Sequence, residues 1–267
     1  EIKYILLNSK QKLKNNNIDE REARLLLAFA MKINSDELIR YTEVSDEIEN
    51  KFNELIDKRI SGIPYAYLVG SKEFMKLNFK VNEDVLIPRP ETELLVEETL
   101  KTNAIHVLDM CTGSGCIAIS IAYYNKKSKV TASDISSKAI EVARENAASN
   151  NVNIEFIKSN LFENINGKYD LIVSNTPYIK TRVIDELEIE VKKEPHLALD
   201  GGEDGLNFYE KISCDARNYL NEQGVLMFEI GYDQVEAVKE ILEKRGYKNI
   251  LVKRDLSGSD RIIICNR

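Results

Sequence analysis

The candidate catalytic residues follow an apolar stretch in the segment LIVSNTPY at 171–178. Asn and Pro are common turn formers, so Asn175-Thr176-Pro177-Tyr178 alone predicts only a turn after a strand. However, the side-chain oxygen of Asn175 and the backbone carbonyl of Thr176 can accept both hydrogens of a planar nitrogen, which would orient its delocalised lone pair and stabilise positive charge. Tyr178 can pack against the plane of such a substrate and add a cation–π contribution. We therefore predict that Asn175, Thr176, Pro177 and Tyr178 form a catalytic and substrate-binding turn for a nitrogen nucleophile.

Residues that suit a nucleoside ligand follow three other predicted strands. The stretch 111–115, CTGSG, places two glycines in a strand-to-helix turn, where the backbone can approach a ligand closely. Asp134 lies 19 residues beyond Gly115, the spacing of a carboxylate that binds ribose hydroxyls. The segment 160–162 offers an amide and apolar groups that can flank a purine. The candidate cofactor-binding residues are Cys111, Thr112, Gly113, Ser114, Gly115, Asp134, Asn160, Leu161 and Asn175.

Two nucleoside cofactors fit this pattern, a nicotinamide dinucleotide and S-adenosyl-L-methionine. The dinucleotide needs a helix N-terminus for its pyrophosphate, whereas S-adenosylmethionine has the same ribose and carries a sulfonium methyl group. A hydride-transfer site has no evident use for the turn at 175–178, but a nitrogen methyltransferase has one. The sequence therefore favours S-adenosylmethionine. We predict no metal site, because the chain has only two histidines and no CxxC pair.

The order of the predicted elements indicates three regions. Residues 1–61 contain neither Gly nor Pro and show helical periodicity, which predicts a domain of about four helices with N-caps at Ser35 and Ser45. Residues 62–93 predict a linker with a β-hairpin, whose strands are LNFKV and DVLI. Residues 94–267 alternate strands and helices. This pattern predicts an α/β fold with a mostly parallel sheet, helices on both faces and an antiparallel pair at the edge.

Seven strands are predicted in the last region. Ligands bind beyond the carboxyl ends of the strands in such sheets, so we expect the motifs above to meet at one edge. The predicted strands are 105–109, 129–134, 153–157, 169–174, 225–230, 248–253 and 261–265, and the predicted helices between the early strands are 116–126 and 136–149.

Composition argues against several partners. The net charge of −7 does not favour nucleic-acid binding, and four lysines within 3–14 are best explained as a solvated helix face. The longest nearly apolar run, at 116–124, is too short to span a bilayer, and no charged-then-apolar leader opens the sequence. Four cysteines without paired spacing predict reduced thiols and a cytoplasmic location.

Many sequence segments, taken in order along the chain, resemble those of the peptide chain release factor glutamine methyltransferases of the HemK/PrmC type. They run from about residue 60 to the C-terminus and include GIPYAYLVG, FKVNEDVLIPRPETELLVE, LDMCTGSGCIAISIA, SDIS, SNLF, VSNTPYI, KKEPHLALDGGEDGLNFY, FEIG and DLSGSDR. The resemblance implies a Rossmann-like, S-adenosylmethionine-dependent methyltransferase with a small N-terminal helical recognition domain. It also implies methyl transfer to N5 of the glutamine in the Gly-Gly-Gln loop of class 1 release factors. From the composition we expect neither membrane nor direct nucleic-acid partners.

The resemblance also implies roles for individual residues. The turn at 112–115 would cradle the cofactor, and Asp134 would bind its ribose. Asn160 and Leu161 would flank the adenine. The turn at 175–178 would hold the substrate glutamine, and the segment Pro88–Thr92 would border the site.

Two positions depart from the family pattern. Thr176 replaces the first proline of the usual Asn-Pro-Pro-Tyr, so the fixed φ of that proline is lost and a hydroxyl is added beside the nucleophile. Pro177 still biases Thr176 toward extended backbone, and the carbonyl is retained. Asn160 stands where the family often has Asp, and its amide can both donate and accept. We predict a less preorganised turn that keeps its chemistry.

Three alternatives remain open. An adenine-N6 methyltransferase acting on nucleic acid would use a similar turn on a flipped base. A non-catalytic binder would carry the Asn-Thr-Pro-Tyr segment as a degraded site. A nicotinamide dehydrogenase is the most distant alternative.

Overall fold

The chain forms two units in the computed structural model, which describes residues 1–267. The first unit comprises residues 1–70 together with 188–193, and the second comprises 71–187 and 194–267. The sequence-based boundaries lie at 61 and 93 instead. Nothing in the sequence of 188–193 indicates that this short segment belongs with the N-terminal helices.

The first unit is helical. Ser45 is the N-cap of its third α-helix, as predicted, and its hydroxyl accepts a hydrogen bond from the Ile48 N–H. The predicted cap at Ser35 is wrong, because the helical turn begins one residue earlier. Asn34 is the cap and forms a capping box with Glu37. The helices are α1 (Ile2–Asn15), α2 (Arg21–Met31), α3 (Asp46–Ile60) and α4 (Tyr65–Val69), with 3₁₀-helices at Ser35–Arg40 and Val191–Lys193.

A buried arginine holds parts of the first unit together. Arg59 on α3 is 6% exposed, and its guanidinium lies 2.6 Å from a carboxylate oxygen of Glu22 on α2. The same guanidinium lies 2.8 Å from a carboxylate oxygen of Glu190, in the segment 188–193. Because a buried charge needs a partner, this double ion pair fixes the segment to the helices.

A two-stranded hairpin opens the second unit, but it lies earlier than predicted. Its strands are β1 (Ser71–Phe74) and β2 (Leu77–Lys80), so LNFKV supplies the second strand and DVLI forms none. The turn residues Met75 and Lys76 both have positive φ, at 50° and 57°. Such turns usually contain Asn-Gly, and Met-Lys carries no turn signal, which explains the error.

A seven-stranded sheet forms the centre of the second unit and confirms the predicted α/β fold. Its strands lie in the order β5-β4-β3-β6-β7-β9-β8. Neighbours from β5 to β7 are parallel, whereas β9 is antiparallel to both β7 and β8, as predicted for the edge. The strands are β3 (His106–Met110), β4 (Lys129–Asp134), β5 (Glu155–Lys158), β6 (Tyr169–Ser174), β7 (Leu220–Glu229), β8 (Lys248–Arg254) and β9 (Asp260–Asn266).

Helices cover both faces of this sheet. One apolar layer includes residues of α5, α6 and α7, and the other includes residues of α9 and α10. None of the helices in the chain is long and apolar enough to cross a membrane. The helices are α5 (Glu93–Lys101), α6 (Cys116–Tyr124), α7 (Ser137–Ser149), α8 (His196–Leu199), α9 (Asn207–Tyr219) and α10 (Val235–Lys244), with 3₁₀-helices at Pro90–Thr92 and Thr181–Glu186.

The strand order creates a crevice at one edge of the sheet. After β5 the chain returns to the opposite side of β3, because β3 pairs with both β4 and β6. The connections after β3 and β6 therefore diverge at the carboxyl ends of these strands. Ligands bind at such a switch point in open α/β sheets.

The double ion pair of Arg59 predicts a stability effect. We expect Arg59→Met to lower the free energy of unfolding by about 2 kcal/mol, since Glu22 and Glu190 lose their cation. The measurement is urea unfolding followed by circular dichroism. Lys58→Met, which changes an exposed neighbour on the same helix, is the matched control and should alter stability by less than about 0.5 kcal/mol. Equal effects of the two substitutions would contradict the assignment.

Candidate active site

One cavity lies at the carboxyl ends of β3, β4, β5 and β6. The predicted site residues Cys111, Gly113, Asp134, Asn160, Leu161, Asn175 and Pro177 line it. Thr112, Ser114, Gly115, Thr176 and Tyr178 do not line it. The other lining residues are Asp84, Val85, Leu86, Met110, Ser133, Ile135, Ser136, Ala139, Ser159, Pro195, Leu197, Ala198, Phe208 and Lys211.

A buried carboxylate organises the turn after β3. Asp109 is 0% exposed, and its Oδ2 accepts hydrogen bonds from the Thr112 hydroxyl at 2.6 Å and the Ala118 N–H at 3.2 Å. Burial raises the pKa of Asp109 to about 7, which these two donors oppose. Thr112 therefore supports the turn from inside the protein, whereas Cys111 and Gly113 face the cavity.

Gly115 allows α6 and α7 to approach each other behind this turn. Its φ is +81°, and a Cβ atom at this position would lie 2.9 Å from Ile119 Cδ1 and 3.0 Å from Ala143 Cβ. Only glycine meets both conditions, the left-handed backbone and the close packing. Gly115 thus shapes the turn without contacting the cavity.

Asp134 is bonded to the same turn from the neighbouring strand. Its Oδ2 accepts from the Gly113 N–H at 2.9 Å, and its Oδ1 accepts from the Ser136 N–H at 2.9 Å. Burial raises the pKa of Asp134, and these backbone donors oppose the rise. Each carboxylate oxygen has a further lone pair, so Asp134 can still accept hydrogen bonds from a ligand's hydroxyls.

The segment after β5 presents an acceptor to the cavity. The Asn160 Nδ2 donates to Glu163 Oε1 at 2.7 Å, which leaves Oδ1 as the atom available to a ligand. Leu161 follows with a φ of +49°, an uncommon conformation for a leucine. Positive-φ residues that are not glycine cluster at functional sites, and Cys111, with a φ of +62°, is a second case in this cavity.

Asn175 is held by a hydroxyl from a distant part of the chain. Its Nδ2 donates to the Thr92 Oγ1 at 3.2 Å, and the Thr92 hydroxyl donates to Glu229 Oε2 at 2.6 Å. Thr92 ends the segment Pro88–Thr92, and Glu229 is the last residue of β7. The FEIG and PRPET segments contain these residues, but neither carries a local signal for this contact.

The other residues of the turn support it from behind. Thr176 is 1% exposed, and its Oγ1 lies 3.8 Å from Cys111 Sγ. The Thr176 hydroxyl, which was expected beside the nucleophile, packs against the turn after β3. Tyr178 is partly buried, and burial raises the pKa of its hydroxyl to about 12. The Tyr178 ring packs against the apolar layer that includes residues of α9 and α10, and its packing against the plane of a substrate stays a prediction.

A glycine-rich segment packs directly on the backbone of this turn. A Cβ on Gly201 would lie 2.7 Å from Tyr178 Cα, and a Cβ on Gly205 would lie 2.4 Å from Tyr178 O. The Gln234 Nε2 donates to Tyr178 O at 3.0 Å and to Gly205 O at 3.2 Å. These glycines lie in the segment DGGEDGL, where the absence of a Cβ permits the close backbone approach.

The sheet and the cavity define the class of the protein as a methyltransferase with a Rossmann-like fold. Residues 90–192 match the Methyltransferase small domain family, and residues 5–70 match the PrmC N-terminal domain family. The crystal structure of a methyltransferase from Pyrococcus furiosus is similar with a TM-score of 0.58 at 23% identity, over 73% of this chain and 91% of that one. This structural likeness supports the fold.

Curated relatives narrow the class to one family. The release factor glutamine methyltransferase of Thermodesulfovibrio yellowstonii is 39% identical over 259 residues, which cover 92% of each chain. That of Clostridium botulinum is 41% identical over 256 residues, 91% of this chain and 90% of the relative. The chain belongs to the release factor glutamine methyltransferase family.

The packing of Gly201 predicts a catalytic defect. We expect Gly201→Ala to lower the methyl-transfer rate at least about tenfold, since its Cβ would displace the backbone of the turn at Pro177 and Tyr178. The control is Gly167→Ala, whose Cβ meets no atom within 4 Å although φ there is +91°. The rate is measured with radiolabelled methyl donor. A Gly201→Ala enzyme as fast as the control would contradict the packing argument.

Proposed function

We propose that this chain transfers a methyl group from S-adenosylmethionine to N5 of the glutamine in the Gly-Gly-Gln loop of class 1 release factors. Membership of the family supports the reaction and the release-factor substrate. The main structural support for this reaction is the orientation of the Asn175 side chain. Its Nδ2 donates a hydrogen bond to Thr92, and the residue lines the cavity. Its Oδ1 is thereby available as an acceptor, which the amide nitrogen of glutamine requires.

Two acceptors of the turn orient the substrate nitrogen. Asn175 Oδ1 and the backbone carbonyl of Thr176 accept the two N–H hydrogens of the glutamine side chain. This contact directs the nitrogen lone pair at the methyl group and stabilises the positive charge that develops on nitrogen. Pro177 lines the cavity next to them and fixes the backbone of the turn.

Tyr178 contributes to catalysis by holding the turn. Its carbonyl is bonded to Gln234, and its backbone packs on Gly201 and Gly205. These contacts fix the direction of the preceding Thr176 carbonyl. We propose this positioning role for Tyr178 in addition to its predicted packing against the plane of the substrate.

The residues of the cavity fit S-adenosylmethionine. When bound, it supplies a sulfonium-linked methyl group as the electrophile. Asp134 retains lone pairs for ribose hydroxyls, and the Asn160 Oδ1 can accept from the exocyclic amine of adenine beside Leu161. Gly113 and Cys111 line the cavity in the turn that Asp109 organises, and Thr112, Ser114 and Gly115 shape this turn.

The proposed partner is a protein, and we propose a cytoplasmic location with release factors as the substrates. The net charge of −7 disfavours binding to the phosphate backbone of nucleic acids. The adenine-N6 alternative predicts methylation of nucleic acid and a steep loss of binding with salt. No contact in the cavity favours it over the glutamine reaction.

Mass spectrometry of a class 1 release factor tests the proposal. Incubation with the chain and S-adenosylmethionine should add one methyl group, on the glutamine of the Gly-Gly-Gln loop. We expect Asn175→Ala to slow this transfer by about 100-fold, since one of the two acceptors is lost. Asn78→Ala, which changes an exposed amide on β2, is the control. Methylation of nucleic acid in place of the release factor would overturn the proposal.

Thr176→Pro tests the preorganisation of the turn. The Thr176 N–H makes no backbone hydrogen bond, so proline removes none. It fixes φ at this position, and we expect a faster turnover than that of the unsubstituted chain, measured by the same methylation assay. A Thr176→Pro enzyme that is no faster would show that the missing proline does not limit the rigidity of the turn.

A further inference from the structure

A line of three side chains leads from the interior of the sheet to the cavity. Glu229 is 1% exposed, and Thr92, which donates to it, is 2% exposed. The Thr92 hydroxyl has only one hydrogen, and the hydrogen bond to Glu229 uses it. Thr92 therefore meets the side chain of Asn175 as an acceptor, at 3.2 Å from Nδ2.

This arrangement decides which way the Asn175 amide faces. An amide that gives an N–H to Thr92 must turn its oxygen in the other direction. Asn175 Oδ1 makes no hydrogen bond within the protein, and the residue lines the cavity. A reversed amide would instead present an N–H to the substrate nitrogen, which also carries N–H groups, and two donors facing each other cannot bond.

We propose that Glu229 and Thr92 are positioning residues that fix the polarity of the Asn175 amide, so that its oxygen meets the substrate nitrogen. This inference rests on the proposed function for its catalytic consequence. The orientation of Asn175 itself does not depend on the identity of the substrate.

The protonation state of Glu229 sets the direction of the hydrogen bonds from Glu229 through Thr92 to Asn175. Burial raises the pKa of Glu229 to about 7, and the Thr92 hydroxyl opposes the rise. A protonated Glu229 can donate to Thr92, whose own hydrogen is then free to turn toward Asn175 and favour the reversed amide. The other titratable and charged groups around Glu229 are Tyr178, Arg261, Glu91, Cys116 and Tyr209.

The groups around Glu229 shift its pKa in opposite directions. Arg261 and the Tyr178 hydroxyl lower the pKa of Glu229, and Glu91 raises it. Arg261 is shared with Asp255, whose carboxylate lies 3.1 Å from its Nε. The carboxyl of Glu229 thus remains close to its titration point near neutral pH, and the rate of methyl transfer should fall as the pH is lowered through about 7.

Substitutions of Thr92 distinguish the effect of its hydroxyl from the effect of its side-chain packing. We expect Thr92→Val to lower kcat about 10- to 100-fold, with the KM for S-adenosylmethionine changed less than about twofold. Thr92→Ser keeps the hydroxyl and should restore most of the rate. Thr99→Val removes another buried hydroxyl, 2% exposed and on the following helix, and serves as the matched control. Equal rates of Thr92→Val and Thr99→Val, or a Thr92→Ser enzyme as slow as Thr92→Val, would overturn the inference.

The variant Glu229→Gln tests whether Glu229 is the group that causes the pH dependence of kcat. Asp109 also has a pKa of about 7, so a titration near neutrality alone does not identify the group. Glutamine can still accept from Thr92 but does not ionise. We expect the acid limb of kcat near pH 7 to disappear in Glu229→Gln, and its persistence at the same pH would contradict the proposal.

An NMR titration of the protein alone tests the same point without a substrate. The ¹⁵N-labelled side-chain amide of Asn175 should shift as the pH passes through about 7, and Glu229→Gln should abolish this shift. If the unsubstituted chain fails to methylate the glutamine, the proposed function fails, while the titration still decides the positioning role. An Asn175 amide that does not respond to pH, or responds equally in Glu229→Gln, would overturn that role.

Discussion

A carboxylate removed from water must find hydrogen-bond donors, and the active site is built around two that do so. Asp109 Oδ2 accepts from the Thr112 hydroxyl and from a backbone N–H of α6, and so organises the turn after β3, whereas its Oδ1 has no hydrogen-bond partner in the protein. Glu229 finds the Thr92 hydroxyl, which in turn holds Asn175 after β6. Both carboxylates lie at or near the carboxyl ends of central strands. Their hydrogen bonds hold the turns after β3 and β6, which follow adjacent strands and both contribute residues to the cavity.

These buried acids make the protein less stable as the pH rises toward neutrality. Asp109 and Glu229 have pKa values of about 7, against ordinary values of 3.8 and 4.5. The folded state therefore holds their protons more tightly than the unfolded state does. This contribution to stability is complete below the ordinary values and is lost as the pH rises through about 7. The apolar layers on both faces of the sheet must offset the loss.

Local patterns predicted much of the fold, and long-range contacts explain what they missed. The strands that end at Asp134 and Ser174 are found as predicted, and the second contains the apolar run 171–173 before a clear stop. The hairpin was misplaced since its turn, Met75-Lys76, has none of the usual turn residues. Thr92 and Glu229 lie 137 residues apart in sequence, so only the folded sheet brings them together. No spacing rule could have found their contact with Asn175.

In the proposed reaction the Asn175 oxygen and the Thr176 carbonyl together hold the nitrogen of the substrate glutamine. A crystal structure with S-adenosylhomocysteine and a Gly-Gly-Gln peptide tests it most directly. A backbone carbonyl can only accept, so its partner identifies the nitrogen end of the glutamine amide. We predict that this nitrogen lies within hydrogen-bond distance of both the Thr176 carbonyl and Asn175 Oδ1. A glutamine bound with its amide away from both acceptors would contradict it.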